Sequence, residues 1–296
     1  MRILPLTALI YEGPISRAYM CAMRRMGVIP KTIILLVQNQ QAKKTKTVLP
    51  FLPNPIRKWY FEKKQNYFNN FWPRRIRTIY SDLFETMCKV LKQLRPDSRE
   101  FFEEMYHSGF DYDKYAIELK RVFLENLKDN ILLEILNSLE HNLVLFTGGG
   151  IVPKQLLEVP GIRFLHIHPG HLPEVRGADG LLWSVLVRGH PSATIFYMNK
   201  GIDTGDILLV SDFPEIKFPI QGNKRPEDII LYRAVFSFFD PLIRTQLLCK
   251  IIEIDPNFSK LGGKKQNQNE GITYHFMHPL LRKLALEKIF PQDIYP

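Results

Sequence analysis

Short apolar runs alternate with helical segments along most of the chain. Residues 3–11 and 31–38 are rich in Ile, Leu and Val and predict two buried strands, and residues 15–26 between them have helical spacing and end at Gly27. A strand, a helix and a second strand are typical of a parallel sheet, because parallel neighbours need a crossover connection. The pattern therefore predicts an α/β fold class: a Rossmann-like, mostly parallel sheet with helices on both faces.

The same rhythm resumes after residue 112. Strands are predicted near 116–122 and over 143–147 and 162–168, with a hairpin formed by 193–198 and 207–210; helices are predicted over 129–140, 153–158, 181–187, 227–251 and 280–289.

Residues 41–112 interrupt this rhythm. They contain five prolines and helix-like stretches at 79–94 and 98–107, so we interpret them as a large helical insertion. The sequence predicts a catalytic domain over 1–215 that includes this insertion. A C-terminal helical extension is predicted over 216–296.

Positive charge is concentrated in the insertion. The chain of 296 residues has a formal net charge of +10, and residues 43–77 contribute ten basic residues against one acid, Glu62. The same stretch is rich in aromatic residues such as Trp59 and Phe61. Such a segment attracts nucleic acid, an anionic membrane or a phosphorylated small molecule. It is equally typical of a helical insertion whose aromatics face the core and whose lysines face water.

Cysteine usage and hydropathy narrow the class of protein. The three cysteines form no CxxC pair, which argues for a reducing compartment and against a disulfide framework or a cysteine zinc site. No apolar run approaches the roughly 18 residues of a membrane-spanning helix. The run 3–11 stops at an EGP sequence without a signal-peptide cleavage site. We therefore expect a cytoplasmic protein.

A glycine triplet follows the predicted strand at 143–147. Gly148, Gly149 and Gly150 are not followed by Lys-Ser/Thr, so a P-loop is unsupported, and no GxGxxG follows the first strand. Two interpretations remain. The glycines form a bend where a ligand approaches the backbone closely, or they form a purely structural turn.

Two histidines mark the end of the next strand. His166 and His168 are two residues apart, so both side chains point to one face, and Pro169 stops the strand there. Open α/β sheets bind ligands at such strand ends. A metal site that adds His171 or Asp203 is the competing interpretation, but the prolines on both sides of His171 restrict how it converges. We predict no metal.

An acidic loop opens the last strand of the hairpin. Asp203 lies in the sequence GIDTGD, where an aspartate is most often a turn former. If the fold brings Asp203 to the strand end, its charge orients His168 and raises the pKa of that imidazole.

These segments resemble the folate-dependent formyltransferases, which include the methionyl-tRNA, glycinamide ribonucleotide and amino-sugar enzymes. LHIHPGHLPEVRGADGLLW at 165–183 and GIDTGDIL at 201–208 carry the resemblance, and TGGGIVP at 147–153 fits the family's folate pocket. The resemblance is specific over residues 143–210 and weaker over 1–38. It implies an enzyme that transfers a formyl group from 10-formyltetrahydrofolate, its co-substrate, to a primary amine.

The resemblance also implies a set of site residues. The histidine of the family's N-x-H-P motif falls on His168 and the aspartate of its D-x-G motif on Asp203, while the asparagine position holds His166. That asparagine is thought to bind the formyl oxygen, so His166 is a departure; imidazole N–H is still a donor, and a degenerate, inactive site is the alternative. The implied folate-binding residues are Gly149, Gly150, Ile151, Val152, Gly201 and Ile202.

The acceptor is predicted to be a small amine, such as a nucleotide-linked amino sugar. Only 86 residues follow Val210, and they show no run of five short strands, so the β-barrel that helps the tRNA enzymes hold tRNA is expected to be missing. Methionyl-tRNA formyl transfer and a folate-binding pseudoenzyme are the alternatives. The basic segment 43–77 is expected to hold a sugar nucleotide's diphosphate, tRNA, or a membrane bearing a lipid-linked sugar.

Overall fold

Helices and strands alternate as the hydrophobic pattern predicts. The computed structural model describes residues 1–38, 53–148, 150–220, 225–259, 262–267 and 269–292. In chain order the elements are β1 (Arg2–Tyr11), α1 (Pro14–Arg25), β2 (Val28–Gln38), α2 (Asn54–Asn69), α3 (Phe71–Ile79), α4 (Ser81–Leu91), α5 (Ser98–Met105), β3 (Glu118–Leu124), α6 (Asn130–Asn137), β4 (Leu143–Phe146), α7 (Lys154–Leu157), β5 (Arg163–His168), β6 (Val175–Gly177), α8 (Gly180–Arg188), β7 (Ser192–Tyr197), β8 (Ile207–Asp212), α9 (Asp228–Ala234), α10 (Asp240–Ile254), β9 (Ile272–Tyr274) and α11 (Pro279–Ile289).

The chain divides into two compact units. The first comprises Met1–Phe71 with Asp111–His166, and the second comprises Trp72–Phe110 with Ile167–Pro296. The boundary therefore falls inside β5, between His166 and the catalytic candidate His168. The division predicted at residue 215 stays a prediction about domains.

The first unit is built on parallel strands in the order β3-β2-β1-β4-β5. All residues of β4 are buried, and β1 and β2 are buried along most of their length. Strands covered on both faces need continuous apolar runs, which is why the sequence shows runs there rather than alternation. The predicted mostly parallel α/β fold is confirmed.

The strand order reverses at β1. The chain moves from β1 to β2 and β3 on one side and returns to place β4 and β5 on the other. In open α/β sheets this reversal leaves a ligand crevice at the carboxyl ends of the two strands. Gly148 lies there, just beyond β4, and a Cβ atom on it would lie 2.9 Å from the Tyr11 ring at the end of β1. The Phe146 ring lies closer still, at 2.4 Å, so a side chain at residue 148 fits only if these two rings move.

From residue 53 onward the insertion is helical, as predicted. Helices α2 and α3 were not separately predicted, because their prolines break the apolar spacing; Pro55 lies in the first turn of α2, where a missing N–H costs nothing. Helix α2 is fastened to β2 by Gln65, whose Nε2 donates to the Leu36 carbonyl at 2.7 Å. Phe61 of α2 is buried, as expected of an insertion whose aromatics face the core. Trp59 is 60% exposed, as expected of a segment that contacts a ligand.

Three basic residues of the predicted charged segment, Lys43, Lys44 and Lys46, lie outside the described residues. Within the described ranges, no helix combines the length and the hydropathy needed to cross a membrane.

The helix predicted over 227–251 contains a π-helical turn. Residues Val235–Phe239 form this turn between α9 and α10. Pro241 has no N–H to donate to the carbonyl of Ser237, and the Tyr106 hydroxyl donates to that carbonyl instead. A proline in the helix interior thus explains the difference from the predicted single helix.

The C-terminal segment is more than helices. Strand β9, in the extension predicted to be helical, pairs in parallel with β6 within the second unit. The Trp183 ring of α8 stacks on Tyr274 of β9 at a centroid distance of 4.3 Å, and its Nε1–H donates to the His275 carbonyl. Within that unit the tail is therefore joined to the predicted catalytic motif 165–183.

Candidate functional site

The second unit brings His168 and Asp203 together. His168 ends β5, Asp203 lies in the β7–β8 loop, and His168 Nδ1 is 3.3 Å from Asp203 Oδ2. On the other side of the ring, His168 Nε2 is 2.8 Å from the carbonyl oxygen of Val175. The imidazole is 3% exposed and the Asp203 side chain is 16% exposed. The carboxylate is therefore the more accessible member of the pair.

Glycines enclose the imidazole. A Cβ atom on Gly170 would lie 2.5 Å from His168 Nε2, and one on Gly180 would lie 2.8 Å from it. Both contacts are far shorter than van der Waals distance, so any side chain at either position displaces the ring. Sequence reasoning missed these two glycines because the dipeptides Pro169-Gly170 and Asp179-Gly180 indicate turns but do not show which side chain packs against them.

The acidic loop is held in an unusual backbone conformation. Asp203 has φ 52°, in the left-handed region that costs a non-glycine residue about 1 kcal/mol or more. Its Oδ2 accepts the backbone N–H of Gly177 at 2.8 Å. Inside the loop, Asn199 Oδ1 accepts from the Gly201 N–H at 2.9 Å and from the Thr204 hydroxyl at 2.7 Å.

Burial decides the protonation of His168. Desolvation lowers the pKa of His168 below its ordinary value, and this effect is larger than the increase caused by the nearby Asp203 carboxylate. Arg244 lowers the pKa further. The sequence correctly predicted the sign of the aspartate's effect on the pKa, but the net shift goes the other way. The imidazole is therefore neutral at neutral pH.

The position of the proton follows from the bond to Val175. A carbonyl oxygen only accepts, so the neutral ring carries its hydrogen on Nε2 and presents the lone pair of Nδ1 to Asp203. A proton added at Nδ1 turns that contact from repulsive to attractive. Nδ1 of His168 is thus the basic atom of the pair.

His166 lies in the first unit. Its Nδ1 is 3.0 Å from the carbonyl oxygen of Phe146 at the end of β4, and its ring is tilted against the Phe146 ring. Since the carbonyl accepts, Nδ1 carries the hydrogen and Nε2 of the neutral ring has none. Donation from Nε2 to an oxyanion, as predicted for His166, therefore needs the protonated ring.

His171, one of the ligands in the metal alternative, contacts a different carboxylate. His171 Nδ1 is 2.8 Å from Asp212 Oδ1. No group of three or more His, Cys, Asp or Glu side chains in the described part of the chain is arranged to hold a metal ion.

The predicted folate-binding residues are divided between the two units. In the first unit, Gly149 lies outside the described residues, Gly150 has φ 102° with open space around it, and Val152 is buried. Ile151 is 77% exposed there. In the second unit, Ile202 beside Asp203 is 49% exposed. Each unit thus presents one large apolar side chain at the predicted folate-binding positions, and their role stays a prediction.

Comparisons with known proteins agree with the motifs. The formyl transferase family model matches residues 110–218. Methionyl-tRNA formyltransferase of Syntrophus aciditrophicus (strain SB) is 40% identical over 91 residues, which cover 30% of this chain and 29% of that protein. Methionyl-tRNA formyltransferase of Prochlorococcus marinus (strain MIT 9312) is 39% identical over 154 residues, which cover 51% of this chain and 44% of that protein. The chain thus spans less than half the length of these relatives.

A solved structure is similar over a longer stretch but at lower identity. A sugar N-formyltransferase from Shewanella sp FDAARGOS_354 aligns with 98% of this chain and 89% of its own, at 13% identity and a TM-score of 0.48. The matched region 110–218 contains both His168 and Asp203. Residues 110–218 are therefore a formyl transferase domain, and the resemblance to the folate-dependent formyltransferases is confirmed.

Proposed function

We propose that the protein transfers a formyl group from 10-formyltetrahydrofolate to a primary amine. The observation that carries the proposal is the 3.3 Å contact between His168 Nδ1 and Asp203 Oδ2 inside the formyl transferase domain. Formyl transfer to an amine needs a group that takes a proton from the attacking nitrogen and returns one to the leaving nitrogen. A buried, neutral imidazole beside a carboxylate is suited to both steps.

The proposed reaction proceeds through one tetrahedral intermediate. The amine nitrogen attacks the formyl carbon, and the carbonyl oxygen becomes an oxyanion. The amine proton passes to the His168–Asp203 pair through a water molecule that Asp203 orders between the amine and the pair. The C–N bond to the folate nitrogen then breaks, and that nitrogen takes the proton back. The products are the formamide and tetrahydrofolate, so atoms and charges balance.

The oxyanion needs a hydrogen-bond donor. His168 Nε2–H already faces the Val175 carbonyl, so it donates to the oxyanion only by exchanging that partner. His166 donates from Nε2 only when its ring is protonated, because Nδ1–H faces the Phe146 carbonyl. A donor aimed at a developing oxyanion is typically worth about 10²–10³ in turnover.

The folate is proposed to lie against Gly149, Gly150, Ile151 and Val152 and against Gly201 and Ile202. The exposure of Ile151 in the first unit and that of Ile202 in the second each support this, since an exposed apolar side chain beside accessible backbone is suited to contact a pterin ring. The acceptor is proposed to be a nucleotide-linked amino sugar. The lysines that α2 exposes, Lys58 and Lys63, support an acceptor that carries phosphate.

Methionyl-tRNA is the second candidate acceptor. It is favoured by the matching relatives, which are methionyl-tRNA formyltransferases about 40% identical to the aligned part of this chain. Both acceptors carry an amine and phosphate groups, so the structure of neither unit favours one acceptor over the other.

Incubation with 10-formyltetrahydrofolate and a panel of acceptors tests the proposal. We expect tetrahydrofolate release with nucleotide-linked amino sugars and no release without an acceptor. Release with charged initiator tRNA alone would make the second acceptor the correct one. Folate binding by calorimetry without release under any condition would identify a pseudoenzyme, and no binding at high micromolar folate would refute the proposal.

Substitutions of His166 test its role as oxyanion donor. We expect His166→Ala to lose about 10²–10³ in kcat if the protonated ring donates. His166→Asn is expected to retain or increase kcat, because an amide N–H donates without titrating. If His166→Ala leaves kcat unchanged, the contact between His166 and the Phe146 carbonyl is only structural. A gain of activity from zero in His166→Asn would show that the parent chain is a pseudoenzyme.

A further inference from the structure

We propose that Gln266, in the tail beyond the formyl transferase domain, is a positioning residue that holds Asp203 against His168. The inference rests on the proposed function. It adds to the site a residue that the motif-bearing region 110–218 does not contain. All of the contacts that support it lie within the second unit.

Gln266 binds the acidic loop from outside. Its Nε2 donates to the carbonyl oxygen of Asp203 at 2.9 Å and to that of Gly205 at 2.6 Å. The first carbonyl belongs to Asp203 itself, which has the left-handed φ, and the second lies two residues later in the turn that follows. One amide group with two hydrogens thus binds the loop at two points. No other side chain described in the structure makes this pair of bonds.

Arg176 orients that amide. Its Nη2 donates to Gln266 Oε1 at 3.1 Å and to the Asn267 carbonyl at 3.2 Å, and its Nε is 3.3 Å from the same Oε1. Arg176 is 4% exposed. Because a guanidinium only donates, Oε1 of Gln266 must point to it, and Nε2 must therefore point to the loop.

The backbone of the tail is anchored next to Gln266. Lys264 and Ile207, at the start of β8, exchange backbone hydrogen bonds of 2.8 and 2.9 Å. A Cβ atom on Gly263 would lie 2.6 Å from Cβ of Asp206, so the tail runs against the loop without space between them. The position of Gln266 is therefore set by the strand that follows Asp203.

The tail also supports the other partner of the Asp203 carboxylate. Gly177 donates its N–H to Asp203 Oδ2 and belongs to β6, which pairs with β9 of the tail. A Cβ atom on Gly177 would lie 2.1 Å from the Tyr274 carbonyl oxygen. Tail residues thus hold the backbone of Asp203 on one side and its hydrogen-bond donor on the other.

The orientation of the carboxylate follows from these contacts. The direction of the Asp203 side chain is fixed only while its backbone stays in the left-handed region, which is unfavourable for aspartate. Without the two bonds from Gln266, the loop relaxes toward a favourable conformation and the carboxylate moves away from His168. A displacement of about 1 Å in a reacting group costs about 10² in rate.

The test compares Gln266→Ala with Gln155→Ala. Gln155 is the matched control, because its amide also donates to a backbone carbonyl, that of Lys128 at 3.2 Å in the first unit. We expect Gln266→Ala to lose about 10² in kcat with KM for folate and acceptor within about threefold, and Gln155→Ala to match the wild type. Gln266→Asn, whose amide is one methylene shorter, serves if Gln266→Ala does not fold.

A second readout follows the His168–Asp203 contact without activity. NMR titration of the His168 ring, assigned with His168→Gln, gives its pKa in each variant. Burial and Arg244 lower that pKa, whereas Asp203, the hydrogen bond with Val175 and Asp240 raise it. We therefore expect Gln266→Ala and Asp203→Asn to lower the pKa of His168 in the same direction, with no change in Gln155→Ala.

The two readouts separate the inference from the function on which it rests. The positioning role is overturned if Gln266→Ala loses kcat without a change in the pKa of His168, or changes that pKa without a loss of kcat. It is also overturned if Gln266→Ala matches the wild type in kcat and in the pKa of His168. If the wild type transfers no formyl group to any acceptor, the proposed function fails, and the titration alone decides whether Gln266 positions Asp203.

Discussion

Replacing His168 with glutamine is expected to reduce kcat by about 10²–10⁴, the usual contribution of general acid–base catalysis. Glutamine fills much of the space between Gly170 and Gly180 and still donates to the Val175 carbonyl, so the fold is retained. It has no atom that takes up a proton at the position of Nδ1. The loss therefore reports proton transfer rather than packing.

The measurement is the rate of tetrahydrofolate release with saturating folate and acceptor. His171→Gln is the matched control, since His171 lies three residues after His168 and its ring also contacts a carboxylate, that of Asp212. We expect it to change kcat by less than about twofold. A His168→Gln variant that turns over as fast as the control would remove His168 from the mechanism.

The pH dependence of the wild type follows from the same group. Burial keeps the pKa of His168 below its ordinary value of about 6.5, so the imidazole stays neutral as the pH falls to 6.5. If neutral Nδ1 accepts the amine proton, kcat per free amine falls on the acid side as His168 becomes protonated, and the half-maximal point of that fall lies below pH 6.5. A half-maximal point above pH 7 would contradict this role.

Much of the first unit could be predicted from hydrophobic runs. Strand β4 is buried along its whole length and β1 along most of its length, so their sequences are mainly apolar, and a glycine follows two residues after each strand. Helices α2 and α3 were less visible, because exposed Trp59 and buried Phe61 are adjacent in sequence and the prolines break the spacing. Burial there depends on tertiary contacts.

The candidate site, like the first unit, could be predicted from the sequence only in part. The meeting of His168 and Asp203 could be predicted from the motif resemblance, whereas the contacts that hold them could not. Gln266 lies 63 residues after Asp203, in a polar tract whose pattern is typical of a loop. Its role comes from a backbone pairing between Lys264 and Ile207, and such a long-range bridge leaves no periodic signal in the sequence.

The largest effect on stability is expected at a buried ion pair in the first unit. Arg17 Nε is 2.6 Å from Glu12 Oε1, and the two side chains are 2% and 6% exposed. Asn70, at the end of α2, donates to the same carboxylate oxygen at 2.7 Å, and Asn69 donates to the Glu12 backbone carbonyl at 2.6 Å. The carboxylate thus joins α1 and the insertion to the end of β1.

Glu12→Ala is expected to lower the free energy of unfolding by about 3–5 kcal/mol, because it leaves the buried Arg17 guanidinium without its carboxylate. Urea denaturation measures the change. Glu62→Ala is the matched control, since Glu62 pairs with Arg121 at 34% exposure, where such pairs contribute about 0–1 kcal/mol. The double variant Glu12→Leu with Arg17→Met should regain most of the loss, because neither charge remains buried alone. A Glu12→Ala variant no less stable than the Glu62→Ala control would show that the pair does not hold this unit together.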